Sequence, residues 1–161
     1  MDFRIGFGED AHLLVAGRPL ILGAVRLLSE RGPRAHSDGD ALLHALSDAL
    51  LSAVAEGDIG DWFPVGAERT KDLSSQQILR FCLDRVAAQG WSLVNLSAVV
   101  TLDQPKLAAR RAEIAASLAA LTGLARGRVG LGFKTSEGLA PDHLQARATV
   151  LIAARAPART G

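Results

Sequence analysis

The sequence of 161 residues contains one cysteine, Cys82. A single cysteine cannot form a disulfide within one chain, so a disulfide framework is excluded and a reducing compartment is expected. Cys82 lies in an apolar helical pattern, in which a small buried residue is a commoner role than a catalytic thiol. The chemistry of this protein is therefore expected from other side chains.

The sequence also lacks long apolar runs and an excess of charge of either sign. No apolar run reaches membrane-spanning length and no charged-then-apolar leader is present, so we expect a cytoplasmic protein without a membrane partner. The formal net charge is +1, with 48% hydrophobic and 22% charged residues. This balance argues against disorder and against a nucleic-acid-binding surface.

Linkers, low-complexity segments and internal repeats are missing as well, so residues 1–161 are expected to form one domain. Strands are predicted over Phe3–Phe7, Trp91–Leu102, Arg128–Thr135 and Gln145–Ala154, with a hairpin-like pair within Leu20–Leu28. Helices are predicted from near Asp38 toward Gly57, from Ser74 or Ser75 to about Ala88, and over Leu107–Leu121. Helices of this length between strands imply βαβ crossovers. The predicted fold is an α+β (or α/β) two-layer sandwich, a mixed sheet with helices packed on one face.

Residues 35–64, AHSDGDALLHALSDALLSAVAEGDIGDWFP, join a loop dense in His, Ser and Asp to an apolar helix. Ser37 followed by Asp40 has the form of a capping box, which predicts a helix start directly after Ser37. On such a helix Asp40, His44 and Asp48 would form one polar stripe, while the remaining circumference is apolar and expected to be buried. A buried stripe of this kind requires a partner, because burying Asp or His unpaired is costly.

A metal ion is the partner that the sequence favours. Asp10 and His12 form an Asp-x-His pair, and in an extended chain residues i and i+2 point to the same side. Together with His44 they supply two imidazoles and one carboxylate, a set that suits zinc and leaves a fourth position open. A lone helical histidine is more often a core or surface residue, so the prediction depends on the upstream pair. Asp48, one turn beyond His44, is a candidate to orient the second ring nitrogen.

Further motifs extend along nearly the whole chain. They are Arg4-Ile5-Gly6, Gly17-Arg18-Pro19-Leu20-Ile21-Leu22-Gly23, Ala35-His36-Ser37-Asp38-Gly39-Asp40, Leu43-His44-Ala45-Leu46, Gly57-Asp58-Ile59-Gly60, Phe63-Pro64, Gln104-Pro105-Lys106-Leu107 and Lys134-Thr135-Ser136-Glu137-Gly138-Leu139. With the Asp10-x-His12 pair, these motifs resemble the 2-C-methyl-D-erythritol 2,4-cyclodiphosphate synthase family of the non-mevalonate isoprenoid pathway. The block from His36 to Gly60 is the most specific part of the resemblance.

The resemblance implies a homotrimer with active sites between neighbouring subunits. One subunit would hold zinc, or another divalent transition metal, through Asp10, His12 and His44. The loop before the central helix would contact the erythritol phosphate, and the Gly57–Gly60 motif the hydroxyl side of the substrate. The substrate-binding residues implied for this subunit are Asp10, His12, His36, Ser37, Asp58, Ile59 and Gly60.

The neighbouring subunit is implied to supply the pocket for the cytidine diphosphate part of this small-molecule substrate. The residues of that pocket are Leu102, Pro105, Lys106, Leu107, Ala108, Lys134, Thr135, Ser136 and Glu137. By the resemblance, His36 and Thr135 occupy catalytic positions that stabilise the transition state. Glu137 matches a carboxylate that binds magnesium or manganese.

The activity implied by the resemblance is an intramolecular phosphoryl attack. The 2-phosphate of 4-diphosphocytidyl-2-C-methyl-D-erythritol 2-phosphate attacks its own β-phosphate, closes a ring and expels CMP, which is the reaction of a phosphorus-oxygen lyase. The nucleophile is already an anion, so no activated serine or cysteine is required. The protein must instead fold the substrate and neutralise phosphate charge.

Two segments depart from the family pattern. Val65-Gly66-Ala67 replaces an acidic run, and the segment Ala140–Leu144 is short and lacks the family's Gly-Arg-x-Glu-Gly element. Two other functions therefore stay open. A site of two histidines and one aspartate would also serve a zinc-dependent phosphoesterase, and the altered loops would also fit a non-catalytic trimeric binding protein.

Overall fold

The structure is a computed structural model that describes residues 2–64 and 73–155, so the departure at 65–67 lies outside the described residues. The strands are β1 (Phe3–Ala16), β2 (Leu20–Leu22), β3 (Val25–Leu27), β4 (Arg31–Pro33), β5 (Trp91–Leu102), β6 (Val129–Lys134) and β7 (His143–Ala154). The α-helices are α1 (Ala41–Ala53), α2 (Ile59–Trp62), α3 (Ser75–Ala88) and α4 (Arg111–Thr122), and short 3-10 helices at Ala108–Arg110 and Arg126–Arg128 flank α4. None of the helices in this described part has the length and apolar character needed to cross a bilayer.

Five strands form one mixed sheet in the order β4-β1-β7-β5-β6. β1 pairs antiparallel with β4 and with β7, β7 pairs antiparallel with β5, and β5 and β6 are parallel. β2 and β3 form a separate hairpin, as predicted for Leu20–Leu28. The prediction of an α+β fold with a mixed sheet is confirmed. The expectation of several βαβ crossovers is too broad, because β5 and β6 are the one parallel pair among the described strands.

Helix α1 packs directly on β1, and two glycines allow this close approach. A Cβ atom added at Gly6 would lie 1.8 Å from the carbonyl oxygen of Ala49, and one added at Gly8 would lie 2.3 Å from that of Ala45. Neither position accepts a side chain unless the helix moves. Alternate residues of a strand share a face, so Asp10 lies on the same face of β1 as both glycines and projects toward α1.

The start of α1 differs from the prediction. Its N-cap is Asp40, whose carboxylate accepts hydrogen bonds from the backbone N–H groups of Leu43 (3.1 Å), Gly23 (2.9 Å) and Ala24 (2.7 Å). The hydroxyl of Ser37 instead accepts a hydrogen bond from a backbone N–H of its own loop. The predicted capping box is therefore wrong, and Asp40 is not part of a polar stripe on α1. It joins the turn between β2 and β3 to the start of the helix.

Other predicted boundaries hold more closely. α3 begins after Ser74, which caps it in a capping box, and β5 has the predicted bounds. α4 starts later than predicted, at Arg111 after a 3-10 turn, and ends at Thr122, where Gly123 caps it with a left-handed φ of 72° that suits glycine. β1 is longer than predicted, because it pairs with β7 over Phe3–Leu13 and with β4 over Leu14–Ala16. The Asp-x-His pair consequently lies inside a regular strand.

The two faces of the sheet differ in their cover. Alternate side chains of β7 are buried on the face that carries α1; they are Leu144, Ala146, Ala148, Val150 and Ile152. On the opposite face of β1, the side chains of Phe3, Ile5 and Phe7 are 49%, 71% and 53% exposed. We call these three residues the β1 apolar row. Adjacent large apolar side chains exposed in this way indicate an interaction surface.

Candidate metal centre

Two side chains of β1 and one of α1 converge at the covered face of the sheet. The Oδ2 atom of Asp10 lies 2.9 Å from Nε2 of His12 and 3.0 Å from Nδ1 of His44. The three donor atoms all lie within 4.8 Å of one another, an arrangement that can hold a metal ion. The structure thus brings together the three residues that the sequence grouped as metal ligands.

The geometry of this cluster fits a small divalent ion. Ligand atoms of a tetrahedral zinc site with bonds of about 2.0–2.1 Å lie about 3.4 Å from one another. The two spacings to Asp10 need to open by only a few tenths of an ångström to reach that value. The side chains of His12 and Asp10 are 16% and 22% exposed, so a further ligand can approach the cluster from solvent.

The electrostatics of the cluster also suit a cation. Burial raises the pKa of Asp10, but the hydrogen bonds from His12 and His44 and the charges of these imidazoles outweigh it and hold that pKa well below its ordinary value. Burial lowers the pKa of His44, but the hydrogen bond to Asp10 and nearby carboxylates outweigh it and raise it above the ordinary value. The cluster therefore pairs an ionised Asp10 carboxylate with a His44 imidazole that binds a proton more readily than usual, and a bound metal ion would displace that proton.

The second ring nitrogen of His44 has a partner that the sequence did not reveal. Its Nε2 atom lies 2.8 Å from the hydroxyl oxygen of Ser75, at the start of α3. That hydroxyl donates to the carboxylate of Asp38, which also accepts the backbone N–H of Ser75 at 3.0 Å. Asp48 instead accepts the backbone N–H of Ile59 at 2.7 Å. The hypothesis that Asp48 orients His44 is wrong, because its carboxylate accepts a hydrogen bond from the backbone of α2 and not from the imidazole.

The loop with His36 and Ser37 is held in place by Arg18. Its guanidinium donates to the carbonyl oxygens of Pro33 (3.3 Å), Ala35 (3.2 Å) and Ser37 (3.0 Å). The His36 side chain is exposed in the midst of this braced backbone. Arg18 lies in a motif that the sequence singled out, but no pattern in the sequence assigned it this contact.

The segment with Asp58, Ile59 and Gly60 forms the start of α2. Asp58 caps this helix, and its Oδ1 atom accepts the backbone N–H groups of Gly60 (2.8 Å) and Asp61 (3.2 Å). The hydrogen bond from Ile59 to Asp48 fastens the same turn to α1. Burial raises the pKa of Asp48, although that hydrogen bond lowers it. These contacts fix the segment relative to His44, which lies one helical turn before Asp48.

The residues predicted for nucleotide binding gather at one edge of the sheet, because the carboxyl ends of the parallel strands β5 and β6 lie side by side. Leu102 and Leu107 are buried there, whereas the side chains of Lys106, Ala108, Lys134 and Glu137 are exposed. A cis peptide bond joins Gln104 to Pro105 between them. The hydroxyl of Thr135 donates to the carboxylate of Glu137 at 2.7 Å.

Asp103 connects the two segments predicted to bind the nucleotide, residues 102–108 and residues 134–137. Its carboxylate accepts hydrogen bonds from the backbone N–H of Ser136 at 2.5 Å, from the Ser136 hydroxyl at 2.7 Å and from the backbone N–H of Gly138 at 3.2 Å. The bonds from Ser136 lower the pKa of Asp103 below its ordinary value. No motif in the sequence assigns Asp103 this role, and its place directly after a buried strand is the signal that points to it.

The mixed sheet, the helix α1 and the cluster of Asp10, His12 and His44 define an α+β protein with a candidate site for a divalent metal. The sequence pattern of the YgbB family matches residues 3–153 of this chain, and the chain belongs to that family. It is similar to proteins named 2-C-methyl-D-erythritol 2,4-cyclodiphosphate synthase. One, from Thermus thermophilus, is 54% identical over 149 residues, or 92% of this chain and 98% of that protein.

Two further comparisons agree with the family. The 2-C-methyl-D-erythritol 2,4-cyclodiphosphate synthase of Deinococcus radiodurans is 56% identical over 153 residues, which cover 94% of this chain and 95% of that protein. A solved structure of a 2C-methyl-D-erythritol-2,4-cyclodiphosphate synthase in a CDP-bound form has a TM-score of 0.90 and 51% identity, and covers 93% of this chain and 100% of that chain. The resemblance drawn from the motifs is confirmed.

Proposed function

We propose that this protein cyclises 4-diphosphocytidyl-2-C-methyl-D-erythritol 2-phosphate to 2-C-methyl-D-erythritol 2,4-cyclodiphosphate and releases CMP, as a phosphorus-oxygen lyase. The observation that carries the proposal is the convergence of Asp10, His12 and His44 beside two braced loops. It occurs in a chain that is 54% and 56% identical to proteins named for this product. The three donor side chains would hold the metal ion that assists the reaction, and the two loops would position the substrate.

Asp10, His12 and His44 would hold zinc or another divalent transition metal, and Glu137 would bind magnesium or manganese. When bound, these ions supply positive charge to phosphate oxygens. Two imidazoles and one carboxylate suit zinc, whereas a lone exposed carboxylate suits a hard ion that keeps most of its waters. The hydroxyl of Thr135 orients the Glu137 carboxylate through its 2.7 Å hydrogen bond.

The loops on either side of α1 would bind the erythritol phosphate part of the substrate. His36 and Ser37 lie on the loop that Arg18 braces, so their positions are set before the substrate arrives. His36 is exposed, so its imidazole would be able to donate a hydrogen bond to a phosphoryl oxygen in the transition state. Asp58, Ile59 and Gly60 would contact the hydroxyl side, with their backbone held by the hydrogen bond to Asp48.

The edge formed by β5 and β6 would bind the cytidine diphosphate. Its predicted residues are Leu102, Pro105, Lys106, Leu107, Ala108, Lys134, Thr135, Ser136 and Glu137. Lys106 and Lys134 offer two exposed ammonium groups for a diphosphate, and the hydrogen bonds from Ser136 to Asp103 join the two segments that carry these lysines. Thr135 would stabilise the transition state from this side. The CDP-bound relative supports a site for such a nucleotide in this fold.

We further propose that residues 1–161 form one domain of a cytoplasmic homotrimer, with each active site shared by two subunits. The β1 apolar row supports an assembly, because Phe3, Ile5 and Phe7 together leave a large apolar strip on the face away from α1. In the proposed trimer a neighbouring copy of the chain would cover this strip. No nucleic acid or membrane enters the proposal.

The proposal is tested by incubating the purified protein with 4-diphosphocytidyl-2-C-methyl-D-erythritol 2-phosphate, with and without a metal chelator. We expect equal amounts of CMP and cyclic diphosphate, and loss of both products in the chelator. Inorganic phosphate in their place would favour a zinc-dependent phosphoesterase. Substrate binding without any product would favour a non-catalytic binding protein.

A further inference from the structure

His44 is held from both sides, and the two sides have different chemistry. Its Nδ1 atom faces the carboxylate of Asp10 at 3.0 Å, and its Nε2 atom faces the hydroxyl oxygen of Ser75 at 2.8 Å. Ser75 is fully buried, and His44 is only 8% exposed. Water therefore has little access to Nε2, and the protein itself decides which ring nitrogen carries the hydrogen.

The direction of the hydrogen bonds follows from Asp38. An ionised carboxylate can only accept hydrogen bonds, and Asp38 accepts both the backbone N–H and the hydroxyl of Ser75. The serine hydroxyl has a single hydrogen, which it donates to Asp38. Toward His44 it can then only accept, so Nε2 of His44 must carry a hydrogen.

A hydrogen fixed on Nε2 leaves Nδ1 as the nitrogen that can offer a lone pair. This is the nitrogen that faces Asp10 and belongs to the candidate metal cluster. We propose that Asp38 and Ser75 form a relay that sets the tautomer and orientation of His44 for metal binding. The two are positioning residues, since neither lies among the donor atoms of the cluster. The inference rests on the proposed function only for the presence of the metal.

The relay predicts a characteristic effect for Asp38→Asn. The oxygen of an asparagine can still accept the backbone N–H of Ser75, as Oδ2 of Asp38 does at 3.0 Å. Its amide group then takes the place of Oδ1, where it loses the longer 3.3 Å hydrogen bond from the backbone N–H of Asp40 and donates to the Ser75 hydroxyl. The hydroxyl would turn and donate to Nε2 of His44, which would move the imidazole hydrogen to Nδ1 and block the metal. Ser75→Ala has a different effect, because it removes the relay without reversing it.

The test measures the zinc dissociation constant of each variant by competition with a chromophoric chelator, without substrate. Residues that orient metal ligands typically change metal affinity about 10- to 100-fold. We expect Ser75→Ala to weaken zinc about tenfold and Asp38→Asn to weaken it more. The double variant should bind zinc as Ser75→Ala does, because without the Ser75 hydroxyl the asparagine cannot reverse the direction of the hydrogen bond to His44. This partial rescue by a second substitution would not arise from a general loss of packing.

Asp48→Asn is the matched control, since Asp48 is also a partly buried carboxylate near His44 but bonds to Ile59. Its zinc affinity should stay within about threefold of wild type, below the change expected for a residue that orients a ligand. Wild-type zinc affinity in Asp38→Asn, or independent losses that multiply in the double variant, would overturn the relay. Asp38 lies in a loop and the change to Asn is isosteric, so this variant remains informative if Ser75→Ala does not fold. A protein that binds zinc in this pattern but releases no CMP would refute the proposed function and leave the relay standing.

Discussion

Asp10 presents one carboxylate oxygen to two imidazoles, and this sharing makes it the central residue of the cluster. Both nitrogen atoms approach the same Oδ2 atom, at 2.9 and 3.0 Å. Three ligands around one small space form a site in which each contributes to holding the ion. The loss of any one of them should therefore have a larger effect than the loss of an ordinary surface ion pair.

His44→Ala is expected to abolish bound zinc and CMP release while the chain remains folded. Asp10 and His12 would supply only two ligands, whereas catalytic zinc sites use three protein ligands. Elemental analysis of the purified variant measures the zinc, and circular dichroism checks the fold. A variant that retains a full complement of zinc would remove His44 from the ligand set.

Asp40 gives a prediction for the effect of pH on stability. Burial raises the pKa of this N-cap carboxyl to about 6, although the N–H groups of Ala24, Gly23 and Leu43 lower it. The folded-state pKa lies above the unfolded value near 3.8, so the folded state binds the proton more tightly. The stability that this proton contributes is present below pH 4 and is lost as the pH rises through 6.

The variant Asp40→Asn isolates this titration. We expect the melting temperature of the metal-free wild type, relative to that of Asp40→Asn, to be higher at pH 4 than at pH 7. The difference corresponds to a free energy of unfolding of up to about 3 kcal/mol, from a pKa shift of about two units. The variant also loses one hydrogen-bond acceptor, which lowers its stability by a similar amount at every pH. Only the change of the melting-temperature difference with pH therefore tests the titration of Asp40. Parallel melting profiles would show that Asp40 keeps an ordinary pKa.

The grouping of the candidate ligands could be predicted from the sequence, but the residues that support them could not. Asp10 and His12 are two residues apart on a strand, and this local spacing decides that they share a face. Ser75 lies 37 residues from Asp38 and 31 residues from His44. Their meeting depends on how α3 packs against α1, and a single sequence has no local pattern that reports such packing.

At the scale of elements, the close contact between β1 and α1 sets the distance between the ligands. β1 carries Asp10 and His12, and α1 carries His44, so a change in the spacing of these two elements opens the cluster. Gly8 lies two residues before Asp10, against the carbonyl oxygen of Ala45. We therefore expect the residue at that position to affect the candidate metal site, although it is not among the donor residues.

Gly8→Ala is expected to weaken zinc binding and to lower the melting temperature. The added Cβ atom would lie 2.3 Å from the backbone oxygen of Ala45 and 2.5 Å from the backbone nitrogen of Ala49, so α1 must move. Overpacking of this kind costs about 1–3 kcal/mol, and each kcal/mol lowers the melting temperature of a chain of this size by about 2–4 °C. Thermal melting and a zinc titration measure the two effects.

Gly132→Ala is the control for that substitution. It lies on β6 of the same sheet, and its added Cβ atom would first meet a Val99 methyl group at 3.4 Å, which is an ordinary contact. We expect its zinc affinity to equal that of wild type. If Gly8→Ala bound zinc as tightly as Gly132→Ala, the close approach of α1 to β1 would not control zinc binding.

The elements differ in how far local sequence determined them. α3 has the predicted bounds because its start and stop signals are local: Ser74, one of the two predicted caps, forms a capping box with Gln77 within one turn. The start of α1 was not, because Asp40 caps the helix while bonding to a turn 17 residues earlier. β1 extends to Ala16 through pairing with β7 and β4, and strand pairing at such a distance leaves little trace in a short stretch of sequence.

At the scale of the whole molecule, the two halves of the proposed active site end at the same edge of the sheet. In the strand register His12 lies opposite Leu144, and Leu144 lies opposite Leu102. With neighbouring strands about 4.8 Å apart, the backbones of His12 and Leu102 are about 10 Å apart within one chain. The same edge could therefore serve a site within one subunit, and only the assembly decides whether the halves belong to one chain or to two.

Mixed trimers distinguish the two arrangements. His44→Ala removes the metal half and Lys106→Ala the nucleotide half, and each variant alone should be inactive. In a shared site, an interface is active when one chain supplies an intact His44 and its neighbour an intact Lys106. When the two variants are mixed at random in equal amounts, each of these two conditions is met with a probability of about one half. Roughly one quarter of the wild-type activity should therefore return. Mass measurement of differently tagged chains confirms that mixed trimers have formed.

A second mixture separates a shared site from a general effect of mixing. His44→Ala and Asp10→Ala both damage the metal half, so every interface in their mixed trimers lacks an intact metal cluster and no activity should return. Recovery in the first mixture and none in the second would place Asp10 and His44 on one chain and Lys106 on its neighbour. If the first mixture forms trimers without recovery, each chain builds its own site across β1, β7 and β5. The β1 apolar row would then serve assembly alone, without completing the active site.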